Sequence, residues 1–187
     1  MKDLSLHIMD IAQNSIVAGA SRIRFILKTQ GNPLKLVCEF IDDGRGMDME
    51  FLKEVTDPFK TSRSTRDVGL GIPLLKQSAE MADGEFFIQS EPFKGTLLRA
   101  EFAVNHIDRI PLGDVPGTFA MLIMANPKIG WMIEFLSQEN AFMLDTDEIK
   151  NELGDVPLDN YDVVSWIQNA INEGIVTVFG GVLDEVS

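Results

Sequence analysis

The chain has 187 residues, of which 45% are hydrophobic, and it carries a formal net charge of −13. This length supports one good hydrophobic core and a small second one, and every apolar run is far shorter than the roughly 20 residues of a membrane span. The acidity argues against a general nucleic-acid binder, and a single cysteine, Cys38, excludes an internal disulfide framework. We therefore expect a cytoplasmic protein that binds neither nucleic acid nor membranes.

The acidity is concentrated in the C-terminal part of the chain. Residues 1–105 have a net charge of −2, whereas residues 106–187 have a net charge of −11. Such a charge fits a well-solvated surface, and it also fits a site for a basic partner. The sequence leaves both interpretations open.

Residues 3–18 are predicted to form a helix that Asp3 caps. Its buried stripe follows helical spacing and consists of Leu4, Ile8, Ile11, Ser15 and Ala18. His7, Asp10 and Asn14 are three and four residues apart, so they share a second, polar face. A polar face beside a buried stripe predicts a helix that forms the wall of a pocket.

Two strands are predicted next, at residues 21–28 and 34–42, because apolar and polar residues alternate on both sides of a turn. In the second strand the alternation places Asp42 on the apolar face with Phe40, and places Asp43 on the other face. A carboxylate on a buried face needs a hydrogen-bonding partner. The amino group of an adenine would supply one, so Asp42 is predicted to bind a base.

Residues 56–68 lack apolar periodicity and are rich in hydroxyl groups. Lys60, Arg63 and Arg66 form a local basic cluster there. A flexible lid over phosphate groups would carry such side chains, although a solvated loop is the alternative.

A glycine-rich stretch, Gly69-Leu70-Gly71, then opens a helix that is predicted to end near Ala82. Free amides and the helix dipole at such an N-terminus favour phosphate, and glycines allow it to approach closely. The pattern is neither a Walker loop nor the Rossmann fingerprint. Strands are predicted at 85–91 and 96–104, and Thr96 adds a hydroxyl group near the base.

These motifs, in this order, resemble the GHKL superfamily of gyrase B, the heat-shock chaperone of the same fold, sensor histidine kinases and MutL. The resemblance covers residues 1–105 and rests on four motifs in order. Residues 13–23 are similar to the MutL helix and the strand after it, and residues 58–62 through 69–72 resemble the histidine kinases and the anti-sigma-factor serine kinases. It implies an α/β (α+β) two-layer sandwich, the Bergerat fold, with ATP held between the helix layer and a lid.

Carried over residue by residue, the resemblance implies that Asn14 coordinates Mg²⁺ on the phosphates and that Asp42 binds the adenine amino group. Thr96 would assist Asp42 through water, and Gly44 and Gly46 would let the backbone pass close to the base. The residues implied to surround the phosphates are Lys60, Thr61, Ser62, Gly69, Leu70 and Gly71.

Asp10 occupies the position where gyrase and MutL have a glutamate, four residues before the metal-binding asparagine. An aspartate can act as a general base, but its shorter side chain puts its reach to the attacking water in question. The resemblance therefore implies a protein that hydrolyses ATP or transfers its phosphoryl group to a partner, as anti-sigma-factor serine kinases and histidine kinases do. The alternative is a non-catalytic, ATP-gated module that controls a regulatory or substrate protein, and a homodimer is possible in either case.

We predict a GHKL domain at residues 1–106, a linker at 107–117 and an acidic α+β extension at 118–187. In the extension, 118–125 is predicted as a strand and 131–145 as a two-stranded hairpin, followed by helices at 146–153 and 159–173. The extension is either a small separate module or an addition to the sheet of the first domain.

Overall fold

The computed structural model describes residues 3–56 and 70–183, which form one mixed sheet with helices packed against it. The helices are α1 (Leu4–Val17), α2 (Met49–Val55), α3 (Gly71–Met81), α4 (Val115–Ala125), α5 (Thr146–Leu153) and α6 (Tyr161–Phe179). The strands are β1 (Arg22–Gln30), β2 (Lys35–Asp42), β3 (Phe86–Glu91), β4 (Gly95–Ala103), β5 (Gly130–Leu136) and β6 (Ala141–Asp145). The α/β sandwich that the sequence predicts is confirmed.

The six strands of this sheet lie in the order β3-β4-β2-β1-β5-β6. Strand β1 pairs antiparallel with β2 and parallel with β5, and the other neighbouring pairs are antiparallel. The C-terminal hairpin of β5 and β6 therefore continues the sheet of the N-terminal part.

Four helices lie side by side on one face of the sheet, in the order α3-α1-α4-α6. A row of aromatic rings connects this layer to the sheet: the centroids of Phe25 and Phe40 are 4.9 Å apart, and those of Phe25 and Phe119 are 5.1 Å apart. The edge of Trp131 meets Phe119 at 6.2 Å. Because these rings come from β1, β2, α4 and β5, one core joins both halves of the chain.

The opposite face of the sheet carries ion pairs between neighbouring strands. Arg24 pairs with Glu134 at 2.5 Å, and Lys28 pairs with Glu39 at 2.8 Å. Such pairs on a solvent-facing sheet satisfy charges and add little stability. The alternation of the strands thus separates an apolar, helix-covered face from a charged one.

The prediction of a strand at 118–125 is wrong, because these residues belong to α4. Asp114 caps this helix by accepting a 2.8 Å hydrogen bond from the Gly117 amide, and a proline occupies its first turn. The helix lies between α1 and α6 and over the sheet, so its buried residues spread around much of its circumference. A short continuous apolar run of this kind is typical of both a buried helix and a buried strand.

The residues of the predicted linker pack closely against the N-terminal helix. The Leu4 amide donates to the Pro111 carbonyl at 2.8 Å, and the Ser5 amide donates to the Leu112 carbonyl at 2.9 Å. Arg109 is buried and donates to the Val104 carbonyl at 2.7 Å. The bonds from Leu4 and Ser5 satisfy two amide donors in the first turn of α1. The helix itself has no carbonyl groups in position to accept from these donors.

Among the helices in residues 3–56 and 70–183, none combines the length and the apolar character that crossing a membrane requires.

Candidate functional site

A cleft opens between α1, the ends of β2 and β4, and the segment that leads into α2. Four of the residues singled out in the sequence lie along this cleft: Asn14, Asp42, Gly46 and Thr96. Asp42 and Thr96 are direct partners in the register of β2 and β4. The pairing of these two strands therefore places a carboxylate beside a hydroxyl group at one end of the sheet.

The carboxylate of Asp42 is held from two sides. The Ser15 hydroxyl donates to Oδ2 at 2.7 Å, and the Gly44 amide donates to Oδ1 at 2.9 Å. An ionised carboxylate has about four acceptor positions, so two remain for a further donor. Asp42 is thus oriented, partly buried and still able to accept a hydrogen bond from a ligand.

A second hydroxyl network lies beside Asp42. The Ser90 hydroxyl is 3.0 Å from that of Thr96, donates to the Gly95 carbonyl at 2.9 Å and accepts from the Met47 amide at 2.8 Å. It therefore links β3, β4 and the segment before α2. This network fixes the position of Thr96 on the wall of the cleft.

Two glycines at the end of β2 permit close backbone contacts. A Cβ at Gly44 would lie 2.9 Å from the Ala18 side chain, and Gly46 has a φ of +63°. A Cβ at Gly46 would lie only 2.0 Å from the Glu91 carbonyl oxygen. Larger residues at these positions would displace the segment that borders the cleft.

Asp10 lies where α1 meets the N-terminus of α3. A Cβ at Gly71 would lie 2.8 Å from Asp10 Cβ and 3.2 Å from its Oδ2, so only a glycine lets the two helices approach this closely. Leu70 is the N-cap residue of α3 and has no side-chain capping bond. The first turn of α3 therefore offers amide donors next to a carboxylate.

Asn14 follows Asp10 by one helical turn and lines the cleft. Its Nδ2 is buried and has no hydrogen-bond partner among the residues that the structure describes. A buried amide without an internal partner is costly, so this side chain is available to a bound group.

His7 is fully buried between α1 and α3 and does not line the cleft. Its Nε2 lies 3.5 Å from the Ser78 hydroxyl. Burial, assisted by the positive N-terminus, lowers the pKa of His7 to about 4. His7 is therefore a neutral packing residue at neutral pH.

The remaining predicted phosphate contacts, Lys60, Thr61, Ser62 and Gly69, lie outside the described residues, as does most of the predicted lid. The cleft also contains residues that the sequence interpretation did not include in the site: Arg45, Met47 and Phe51.

Ser15 and Ser90 were also missed as site residues. Ser15 is the one hydroxyl residue on the otherwise apolar stripe of α1, and such a residue indicates a buried partner. Helix α2 was missed although Asp48 caps it by accepting from the Phe51 amide at 2.8 Å. Ser90 gave no comparable signal, because its role depends on the pairing of β3 with β4.

Among the solved structures that resemble this fold are a domain of a DNA repair protein and a MutL ATPase domain. The N-terminal domain of a DNA repair protein superposes with a TM-score of 0.54 and 14% identity, covering 98% of this chain and 59% of that one. The Aquifex aeolicus MutL ATPase domain, complexed with ADP, gives a TM-score of 0.53 and 13% identity, covering 82% and 68%. At these identities the likeness concerns the fold alone.

Two curated proteins are similar in sequence over parts of this chain. A putative sensor protein of Shewanella frigidimarina is 40% identical over 68 residues, which are 36% of this chain and 10% of that protein. Sporulation kinase C of Bacillus subtilis is 30% identical over 91 residues, which are 49% of this chain and 21% of the kinase. The matched regions are thus small parts of much longer proteins.

The family model of histidine kinase-, DNA gyrase B- and HSP90-like ATPases matches residues 2–106, more than half of the chain. The matched region contains the cleft, α1 and the N-terminus of α3. The resemblance seen in the sequence motifs is confirmed, and this chain belongs to the family of histidine kinase-, DNA gyrase B- and HSP90-like ATPases.

Proposed function

We propose that this protein binds ATP with Mg²⁺ and uses Asp10 to activate a hydroxyl nucleophile against the terminal phosphate. The nucleophile is water, or a hydroxyl side chain of a partner protein that receives the phosphoryl group. Its oxygen bonds to the terminal phosphorus while the bond to the β–γ bridging oxygen breaks, and ADP is the leaving group. One observation carries this proposal: the carboxylate of Asp10 lies against Gly71 at the N-terminus of α3, one helical turn from Asn14.

The adenine is recognised by Asp42 in this proposal. Ser15 and Gly44 occupy one acceptor position on each oxygen of its carboxylate, and the remaining positions face the cleft side of β2. An amino group on the base donates to this carboxylate, and Thr96 contributes a hydroxyl group through water. The apolar side chains of Ile72 and Leu98 line the same cleft and suit the faces of the base.

The phosphates are bound by the first turn of α3. Its amides lack intrahelical partners, and the helix dipole favours a negative charge there. Leu70 and Gly71 provide this backbone, and Gly71 keeps the approach free of a side chain. The basic and hydroxyl residues Lys60, Thr61 and Ser62 would complete the phosphate site, together with Gly69.

Asn14 is the residue that would hold Mg²⁺. Residues 3–56 and 70–183 contain no cluster of three or more His, Cys, Asp or Glu side chains that could hold a metal by itself. The side-chain oxygen of Asn14, on the wall of the cleft, would be one protein ligand, and substrate phosphates and water would supply the others. When bound, Mg²⁺ neutralises charge on the phosphates.

Asp10 accepts the proton of the attacking hydroxyl group. It is exposed, so a nucleophile from solvent or from a partner protein can reach it. We propose ATP and a substrate or regulatory protein as partners of this protein. We propose the cytoplasm as its location.

A phosphate-release assay with the wild type and Asp10→Asn tests this proposal. The asparagine keeps the shape of the side chain but accepts a proton poorly, so turnover should fall by about 100-fold or more while ATP binding is retained. Asp10→Glu should keep measurable turnover because it restores a carboxylate. Equal turnover in the wild type and Asp10→Asn would contradict the role of Asp10.

Absence of turnover in the wild type, with ATP still bound, would favour the ATP-gated module instead. In that case the nucleotide acts by ordering the segment around it and thereby changing a partner surface. Adding candidate partner proteins and ATP labelled on its terminal phosphate separates hydrolysis from phosphoryl transfer. Hydrolysis releases the label as free phosphate, whereas transfer leaves it on the partner protein.

A further inference from the structure

An apolar groove lies at the far edge of the sheet from the nucleotide cleft. It consists of two adjoining open depressions of the surface, which share Ile149, Glu152 and Trp166 as lining residues. Phe142 and Ala170 line one end, where β6 meets α6. The groove thus runs along β6 between α5 and α6.

Trp166 is the main apolar surface of this groove. Its side chain is 58% exposed, whereas Trp131, in the core, is 1% exposed. A large apolar side chain that remains exposed beside an apolar groove is typical of a surface that suits a partner.

The rim of the groove is acidic. Glu148 and Glu152 project from α5, Asp162 lies in the first turn of α6, and all three are exposed. None of the ion pairs within the described residues includes them, whereas Asp145 and Asp147 are paired with Arg22. The rim therefore keeps uncompensated negative charge, in the half of the chain with a net charge of −11.

Strand β6 is an edge strand. In the part of the chain that the structure describes, it pairs with β5 alone, so one side of its backbone has unpaired donors and acceptors. An exposed edge of this kind accepts an added strand from another protein. The edge and the groove are adjacent, because Phe142 and Leu144 of β6 line the groove.

We infer that this groove binds an extended segment of a partner protein that is apolar at its centre and rich in lysine or arginine at its flanks. The segment pairs with β6 as a seventh strand. Its apolar side chains pack on Trp166 and Ile149, and its basic side chains meet Glu148, Glu152 and Asp162. Charge complementarity selects a basic partner, and the free edge selects an extended one.

Titration of the full chain with a seven-residue peptide tests this inference. The peptide has three apolar residues, Val-Leu-Val, between two lysines on each side, and its ends are blocked. Its binding should shift the emission of Trp166 to shorter wavelength in a saturable manner, because the indole becomes buried, while Trp131 stays in the core. Amide hydrogen exchange in residues 141–145 should slow in the complex.

Matched variants separate charge from general surface effects. Glu148→Lys/Glu152→Lys reverses two charges four residues apart on α5, and we expect about tenfold weaker binding. Glu50→Lys/Glu54→Lys makes the same change on α2, which packs near β3 at the other edge, and should bind the peptide normally.

Peptide controls separate strand addition from simple attraction. A peptide with glutamate in place of lysine should not bind, and a basic peptide with a central proline should bind weakly because it cannot complete the strand pairing. Equal binding of either control, equal binding to Glu148→Lys/Glu152→Lys, or no saturable shift would overturn the inference. So would a concentration-dependent shift of Trp166 emission without peptide, accompanied by a dimer in sedimentation, because a second copy would then cover the groove.

Discussion

Neighbouring carboxylates at the end of β2 have different roles because they lie on opposite faces of the sheet. Asp42 faces α1 and the cleft, where Ser15 and Gly44 orient it. Asp43 faces outward and accepts hydrogen bonds from the amides of Ser21 and Arg22 at 2.8 and 2.9 Å. Desolvation opposes ionisation of Asp43, yet the hydrogen bonds from Ser21 and Arg22 lower its pKa overall. Asp43 thus holds the start of β1 in place, and Asp42 remains available to a ligand.

The substitution Asp42→Asn should weaken ATP binding by at least about 100-fold. The amide nitrogen of an asparagine cannot accept a hydrogen bond, so one of the existing donors, or the base amino group, loses its partner. Calorimetric titration with ATP measures the effect, and circular dichroism checks that the fold is retained. Asp43→Asn is the matched control and should bind ATP normally. Unchanged affinity in Asp42→Asn would refute the assignment of the base site.

His7 should make the stability of the protein depend on pH. Its pKa is about 4 in the folded chain and about 6.5 in the unfolded chain, so the unfolded state binds more protons between these values. The contribution of His7 to the free energy of unfolding is fully present well above pH 6.5, and it is lost as the pH decreases toward 4. At about pH 5.2, which stays above the isoelectric point of about 4.5, the loss relative to pH 7.5 should be roughly 1.5–2 kcal/mol.

Urea unfolding of the wild type and His7→Gln at these two pH values measures this effect. The glutamine does not titrate, so the variant should lack the His7 contribution and lose less stability on acidification. An identical pH dependence in both proteins would mean that other groups account for the whole effect.

At the scale of elements, the site depends on how closely α1 and α3 approach each other. Asp10 and Asn14 come from α1, and the amide donors come from the first turn of α3. Gly71 is the contact point, since a Cβ there would lie 2.8 Å from Asp10 Cβ. The spacing of the two helices therefore decides whether the Asp10 carboxylate and the amides of the first turn of α3 can reach one ligand.

Gly71→Ala should separate these helices and reduce both stability and ATP affinity. Overpacking of this kind typically costs about 1–3 kcal/mol of unfolding free energy. Thermal unfolding and ATP titration give the two effects. Lys76→Ala, on a half-exposed position of the same helix, should change neither by a comparable amount. Wild-type affinity in Gly71→Ala would show that the close approach is not needed for binding.

At the scale of the whole molecule, the C-terminal part completes the core of the family domain. Strand β5 covers the free side of β1, and α4 lies between α1 and α6. Phe119 and Trp131 bury their rings against this junction, with Trp131 only 1% exposed. The region matched by the family model thus shares its sheet and its core with residues beyond 106.

A shortened chain that ends at residue 106 should therefore unfold without a cooperative transition or not fold at all. It would expose the β1 edge and the apolar face that contacts α4 and β5. Circular dichroism and urea unfolding of this chain, beside the full chain, measure the difference. A cooperative transition at the midpoint of the full chain would show that residues 1–106 form an independent unit.

Local patterns in the sequence determined much of the site. Alternation in β2 placed Asp42 on the apolar face, helical spacing aligned Asp10 with Asn14, and the glycine-rich stretch marked the start of α3. These features depend on residues that are close in the chain, so their geometry follows from the periods of the strand and the helix.

The tertiary structure alone decided the features that depend on distant parts of the chain. It placed β5 beside β1, showed 118–125 to be a helix, and linked Ser90 to Thr96. A buried apolar run has no periodicity that distinguishes a helix from a strand, and nothing local specifies which strands will be neighbours. The sequence by itself thus determined which polar side chains share a face beside the cleft, because their spacing is local, whereas the packing of the whole chain decided what surrounds and supports them.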